Sequence, residues 1–139
     1  LRCFTERQLT YLFQKMLNFV VHNFIEISIT DNEIILKTIS FVRENYSKPE
    51  VSLAEAADLC NVSQEYLSRL FQQETGTKFI SFLQNFRVSM AKRMLLSDRQ
   101  SKVYEIAEAV GYRDQKYFVS VFKKLCGMTP SEFRKEKEI

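Results

Sequence analysis

The sequence predicts an all-α fold in which a short helix, a tight turn and a longer helix occur as a unit twice, joined by a long linker helix. Three observations carry that prediction. The 139 residues include only three Gly and two Pro, too few breakers for a turn-rich sandwich or barrel. Apolar residues recur at helical spacing behind recognisable cap signals. Finally, one stretch of pattern returns about fifty positions later.

The elements follow in chain order. Thr5-Glu6-Arg7-Gln8, Thr30-Asp31-Asn32-Glu33, Ser52-Leu53-Ala54-Glu55 and Thr129-Pro130-Ser131-Glu132 read as capping boxes. In each, a hydroxyl accepts from the third residue's N–H while the longer side chain reaches back. Ser63 is a plainer N-cap, Pro130 sits where a first helical turn needs no N–H, and Gly76 and Gly127 stand where helices stop. These signals predict helices over about 5–27, 31–46, 53–60, 64–75, 79–96, 102–110 and 114–126, with a short one near 130–136. Ile34, Ile35, Thr38, Ile39, Phe41 and Val42 give the second helix its core face. Along the fifth, Phe79, Phe82, Leu83, Phe86, Met90, Met94 and Leu95 do the same. Residues 1–30 are expected to be a connector or dimerisation helix from an upstream domain, and 31–136 one domain.

Composition narrows the class further. Hydrophobic residues are 45% and charged residues 27%, which is ordinary globular usage. The formal charge is +3. It sits after residue 33: three basic face four acidic groups in 1–33, eight face six in 34–96, and nine face seven in 97–139. Such a balance permits a polyanionic partner without requiring one. Cys3, Cys60 and Cys126 form no C-x-x-C pair and, with the lone His22, make no zinc pattern. No metal or cofactor is expected, and a reducing cytoplasm is. Met16–Ile29 is apolar but short and broken by Asn18, His22, Asn23 and Glu26, so no membrane span is expected. The chain opens on Leu1-Arg2-Cys3 without a Met and reads as a piece of a longer protein.

The internal repeat is the most informative feature. Leu53, Ala57 and Asn61 recur fifty positions on as Val103, Ala107 and Gly111. Tyr66-Leu67, Leu70-Phe71, Gly76 and Phe82 recur fifty-one positions on as Tyr117-Phe118, Val121-Phe122, Gly127 and Phe133. One residue has therefore been added in the second turn. A small Ala lets two helices cross closely, and Asn or Gly at the turn tolerates a left-handed backbone. This is the pattern of a helix-turn-helix, whose second helix can enter a DNA major groove.

The outward face of the first long helix shows Gln64, Glu65, Ser68, Arg69 and Gln72; that of the second shows Arg113, Gln115, Lys116, Val119, Ser120 and Lys123. Arg and Lys suit guanine, Gln suits adenine, and an aliphatic group suits the thymine methyl. A merely solvated face reads the same way for any one residue, but duplication at matched positions favours the functional reading. A linker over 80–96 of roughly 26 Å could space two such units by about one DNA turn, roughly 34 Å.

These residues resemble the AraC/XylS-type bacterial transcription regulators. The carriers are Ser52–Ala57, Tyr66–Phe71, Glu74-Thr75-Gly76, Phe82-Leu83, Arg87, Ala91, Leu95-Leu96, Glu105-Ile106-Ala107, Val110-Gly111-Tyr112, Tyr117-Phe118, Phe122-Lys123 and Gly127–Arg134. The resemblance covers about residues 33–135. It implies a two-lobed, seven-helix domain that binds promoter DNA and recruits or positions RNA polymerase. It further implies base reading by Gln64, Glu65, Ser68 and Arg69, and by Gln115, Lys116, Val119 and Ser120. The family often has Ser-Arg where this chain has Val119-Ser120, which shifts the second unit toward methyl contacts and phosphate clamping. Lys102, Arg113, Lys123, Lys124 and Thr129 are the phosphate candidates.

Residues 1–30 lie outside that resemblance. Leu9, Phe13, Met16, Val20 and Ile27 form a seam with Asn23, as a homodimer through residues 5–27 would need. The same seam suits the terminal helix of an upstream domain, and both readings stay open. Catalysis is not expected: Ser89-Met90-Ala91-Lys92 matches an acyl-transfer pattern but lacks its companion motifs. A helical protein-interaction module using the apolar face of residues 9–27 is the competing class.

Overall fold

Seven helices follow one another from Ile29 in a computed structural model that describes residues 29–137 together with Glu6, Arg7, Leu9, Thr10, Leu12, Phe13 and Met16. They are α1 (Ile29–Asn45), α2 (Leu53–Leu59), α3 (Gln64–Thr75), α4 (Phe79–Ser97), α5 (Val103–Ala109), α6 (Gln115–Cys126) and α7 (Pro130–Glu136). All-α is the observed class, and the boundaries fall within two residues of those the caps predict. The start displaced furthest is that of α1, which runs from Ile29, so Thr30 lies inside its first turn. The earlier described residues that have helical backbone are Glu6, Arg7, Leu9, Thr10, Leu12, Phe13 and Met16. Thr5, His22, Asn23, Val20 and Ile27 lie outside the described residues.

Local chemistry accounts for the ends. Ser52, Ser63 and Thr129 accept from the backbone N–H groups of Glu55, Tyr66 and Glu132 at 3.2, 3.1 and 3.2 Å. Asp114 does this for α6, accepting from Lys116 and Tyr117. Gly76 and Gly127 close α3 and α6 with left-handed φ of 75° and 80°. Their N–H groups return to the carbonyls of Gln72 and Lys123.

Two cores form, and α4 belongs to both. The first gathers Ile35, Ile39 and Val42 of α1, Ala56 and Ala57 of α2, Leu67, Leu70 and Phe71 of α3, and Phe79, Phe82, Leu83 and Phe86 of α4. The second takes Val88, Ala91 and Leu95 of α4 with Ile106 and Ala107 of α5, Phe118, Val121, Phe122 and Leu125 of α6, and Phe133 of α7. Tyr46 and Met90 pack against both. The linker is therefore a shared wall and not a bare spacer. Its length, roughly 28 Å for 19 residues, is divided between the lobes.

Leu9, Phe13 and Met16 are buried in the first core. The Phe13 ring meets Phe82 and Phe86 edge-on at 5.2 and 5.5 Å, and Glu6 pairs with Arg93 of α4 at 2.7 Å. Three residues of the expected seam thus face the chain's own first lobe. At the other end, Arg134 donates to the carbonyls of Leu95 and Asp98, both at 3.1 Å, pinning α7 to the end of α4. Asp98 also accepts from the Ser101 hydroxyl and the Gln100 N–H, and these bonds hold its carboxyl below the ordinary value.

Candidate nucleic-acid interface

The duplication seen in sequence is a duplication of geometry. In the first unit the Val62 N–H reaches the Ala57 carbonyl at 3.0 Å; in the second the Tyr112 N–H reaches that of Ala107 at 2.9 Å. Both alanines are buried, which brings α3 across α2 and α6 across α5. The turn residues Asn61 and Gly111 both adopt positive φ, 57° and 99°. Between helix cap and helix cap the first turn holds Asn61 and Val62, and the second Gly111, Tyr112 and Arg113. Arg113 is the added residue. Its guanidinium points out of the second unit to Glu50 of the first lobe at 3.8 Å, with both side chains largely exposed.

The fifty-one-residue offset superposes the outer faces of α3 and α6. Gln64, Glu65, Ser68, Arg69 and Gln72 correspond to Gln115, Lys116, Val119, Ser120 and Lys123. The first five are all exposed, as are Gln115, Lys116, Ser120 and Lys123. Buried Leu67, Leu70 and Phe71 lie on the opposite side of α3, with Phe118, Val121 and Phe122 on that of α6. Each helix thus turns an outer stripe away from the core behind it, polar throughout on α3 and interrupted by Val119 on α6.

Two placements qualify the expectations. Val119 is only half-exposed and packs against the second core, which leaves less of its methyl surface outward than its register position suggests. Ser120 donates its hydroxyl to the Tyr117 carbonyl at 2.7 Å, so this group turns back on its own helix. The faces also differ in charge. On α3 an acid and a base, Glu65 and Arg69, offset one another; on α6, Lys116 and Lys123 have no acidic counterpart.

Of the remaining sequence candidates, Lys102 is exposed at the N-cap of α5, without a side-chain cap bond. Lys123 and Lys124 are exposed in the last turn of α6. Thr129 is half-buried and its hydroxyl oxygen caps α7, leaving the hydroxyl proton as the group that could donate to a phosphate. Sequence reasoning missed Tyr117. It is 51% exposed at the start of α6, stacks edge-on to Tyr112 and meets Gln84 of α4 at 3.4 Å. Its alternation with buried Phe118 could have flagged it. Asp114 was missed as a cap, although an Asp three residues before a helical aromatic is a usable signal.

Among the described residues no group of His, Cys, Asp or Glu could hold a metal ion, and no helix is long and apolar enough to cross a membrane. The acyl-transfer-like Ser89 is buried, and Lys92 lies over the Phe133 ring at 5.4 Å.

Comparison with known proteins settles the family. The helix-turn-helix domain family matches residues 56–136, more than half of the chain. The chain belongs to the AraC-type helix-turn-helix regulators. It is 41% identical over 106 residues to YesN, an uncharacterized transcriptional regulatory protein of Bacillus subtilis (strain 168), an overlap of 75% of this chain and 29% of YesN. Among solved structures, the C-terminal domain of AraT, a response regulator from Geobacillus stearothermophilus, shares 37% identity at a TM-score of 0.74, covering 76% of this chain and 87% of that one. The DNA-binding domain of AdpA, a global transcriptional factor solved in complex with a target DNA, shares the fold at 22% identity and a TM-score of 0.69, covering 73% and 90%. The chain spans less than half the length of the relatives it matches, so it carries the AraC-type DNA-binding domain of transcriptional regulators.

Proposed function

We propose that this domain binds double-stranded DNA sequence-specifically, α3 and α6 entering two successive major grooves, as the output part of a longer bacterial transcription regulator. The carrying observation is the pair of matched, exposed polar faces behind which the same core pattern is repeated. On this reading Arg69 addresses guanine, Gln64 and Gln115 address adenine, and Glu65, Ser68, Lys116 and Ser120 complete the base-facing set. Val119 contributes what methyl surface it leaves outward. Lys102, Arg113, Lys123, Lys124 and Thr129 meet phosphate, which positions the domain without reading sequence. The second unit, with its uncompensated lysines, then clamps more than it reads.

The reading is of a binding module and not a catalyst, working in the cytoplasm with RNA polymerase as its protein partner. A homodimer through residues 5–27 requires Leu9, Phe13 and Met16 to leave the first core, and the competing protein-docking reading requires the same release. The burial of these residues favours the DNA reading over both.

The test is fluorescence anisotropy of the chain with a random-sequence duplex across a salt series. Affinity is expected to fall with salt by a slope of about −0.9 per phosphate contacted, and Lys123→Ala and Lys124→Ala to remove about one unit each. Arg69→Ala is expected to leave that slope nearly unchanged but cost about 1–3 kcal/mol on a selected sequence and relax one base position. Absence of binding at low salt rejects the proposal.

A further inference from the structure

Arg87 is a basic side chain only 6% exposed, halfway along α4 where the two cores meet. Its Nε donates to the Tyr46 carbonyl and its terminal nitrogen to the Lys48 carbonyl, both at 2.8 Å. Those carbonyls belong to the segment that follows α1, hence to the first lobe. The opposite side of the guanidinium lies on the Tyr112 ring, 5.1 Å from its centroid, in the turn of the second unit. Gly111 completes the fit. A Cβ there would stand 2.5 Å from the Tyr46 carbonyl oxygen and 2.9 Å from an Arg87 nitrogen.

A planar, forked, permanently charged group is thus clamped between a carbonyl pair of one lobe and an aromatic ring of the other. Burying a charge is costly unless it is hydrogen-bonded, so the contact tolerates little displacement. α4 runs unbroken through both cores, and the clamp at Arg87 fixes how the turn of the second unit sits against the first lobe.

We propose that Arg87 is a positioning residue that sets the angle and distance between α3 and α6, and so determines which spacing of two DNA half-sites the domain accepts. This rests on the DNA reading above. Two linked binding modules gain affinity through the effective concentration that their linkage imposes, and a stiff linkage concentrates that gain at one spacing. Loosening the linkage lowers the gain and broadens the tolerated range, leaving each module's own contacts intact.

The experiment begins with duplexes enriched from a random pool by the wild-type chain. Arg87→Lys keeps the charge but loses the fork; Tyr112→Leu keeps the fork but loses the ring, and serves if the first variant fails to fold. Each is titrated against the enriched duplex, the same duplex with one or two base pairs inserted between its halves, and duplexes with either half randomised. Wild type is expected to lose about tenfold or more on insertion, and the variants about two- to threefold, from a weaker optimum. Affinity for the half-randomised duplexes is expected to be unchanged. Equal insertion penalties in folded variants and wild type overturn the positioning role while leaving the DNA reading in place. Uniformly weaker binding to every duplex, half-randomised ones included, also overturns it, since that marks a merely structural loss. A wild-type chain that enriches no duplex overturns the DNA reading and this inference with it.

Discussion

Asn61 and Gly111 occupy the same place in the two units, yet they are not interchangeable. Both backbones are left-handed, a conformation in which Gly is unstrained and Asn little strained. Asn61 is exposed, whereas Gly111 is buried against Tyr46 and Arg87. Asn61→Gly is therefore expected to change stability by well under about 1 kcal/mol, while Gly111→Ala adds backbone strain to a steric clash and is expected to cost about 2 kcal/mol or more. Urea denaturation of the two variants checks the contrast. The sequence carries half of this lesson. The repeat register marks both positions as turn residues, but the demand for no side chain at 111 comes from Tyr46 and Arg87, which are 65 and 24 residues away.

At the scale of helices, the punctuation was legible because it is local. Ser52, Ser63 and Thr129 cap the helices their sequence contexts announced, and Gly76 and Gly127 end α3 and α6. Asp114 stands where Ser63 stands in the fifty-one-residue register, and was less legible because a carboxylate replaces the hydroxyl there. Its carboxylate caps α6 and also faces the positive end of the helix dipole. Asp114→Ala is expected to destabilise the domain by about 1 kcal/mol, close to the cost of Ser63→Ala on α3. Paired thermal melts of the two variants measure this. The candidate interface was legible to the extent that register decides exposure: nine of the ten matched positions on α3 and α6 are exposed. Val119 departs because α6 packs α7 and α4 behind it more widely than a single helical wheel conveys, and Ser120 because a free hydroxyl takes the nearest carbonyl.

For the whole molecule, the physical boundary of the domain differs from that of the matched helix-turn-helix segment. The matched segment starts at residue 56, inside α2, and so omits all of α1. Yet Ile35, Ile39 and Val42 are among the best-buried residues of the first core, each worth roughly 1.5–3 kcal/mol when fully buried. A chain cut to residues 56–136 is expected to lose protection throughout α2, α3 and the first half of α4. The second core, which draws on residues from Val88 onward, is expected to stay ordered. Hydrogen exchange on the truncated and full chains distinguishes this from uniform loosening. Sequence similarity marks the shared pattern; which segments complete a core is a matter of three-dimensional contact, and α1 contributes to the core without belonging to the repeat.

The unequal charge of the two outer faces bears on the order of events in time. Long-range attraction acts before any hydrogen bond can form, and it follows the charge that a face presents. The two lobes carry equal net charge, but with Lys116, Lys123 and Lys124 uncompensated on α6 and Glu65 offsetting Arg69 on α3, the face of α6 is, on the proposed DNA reading, the one a polyanion draws in first. On that reading the balanced face of α3 follows along the duplex at short range, where only a matching sequence holds it. On the proposed reading, search and verification thereby fall to opposite lobes.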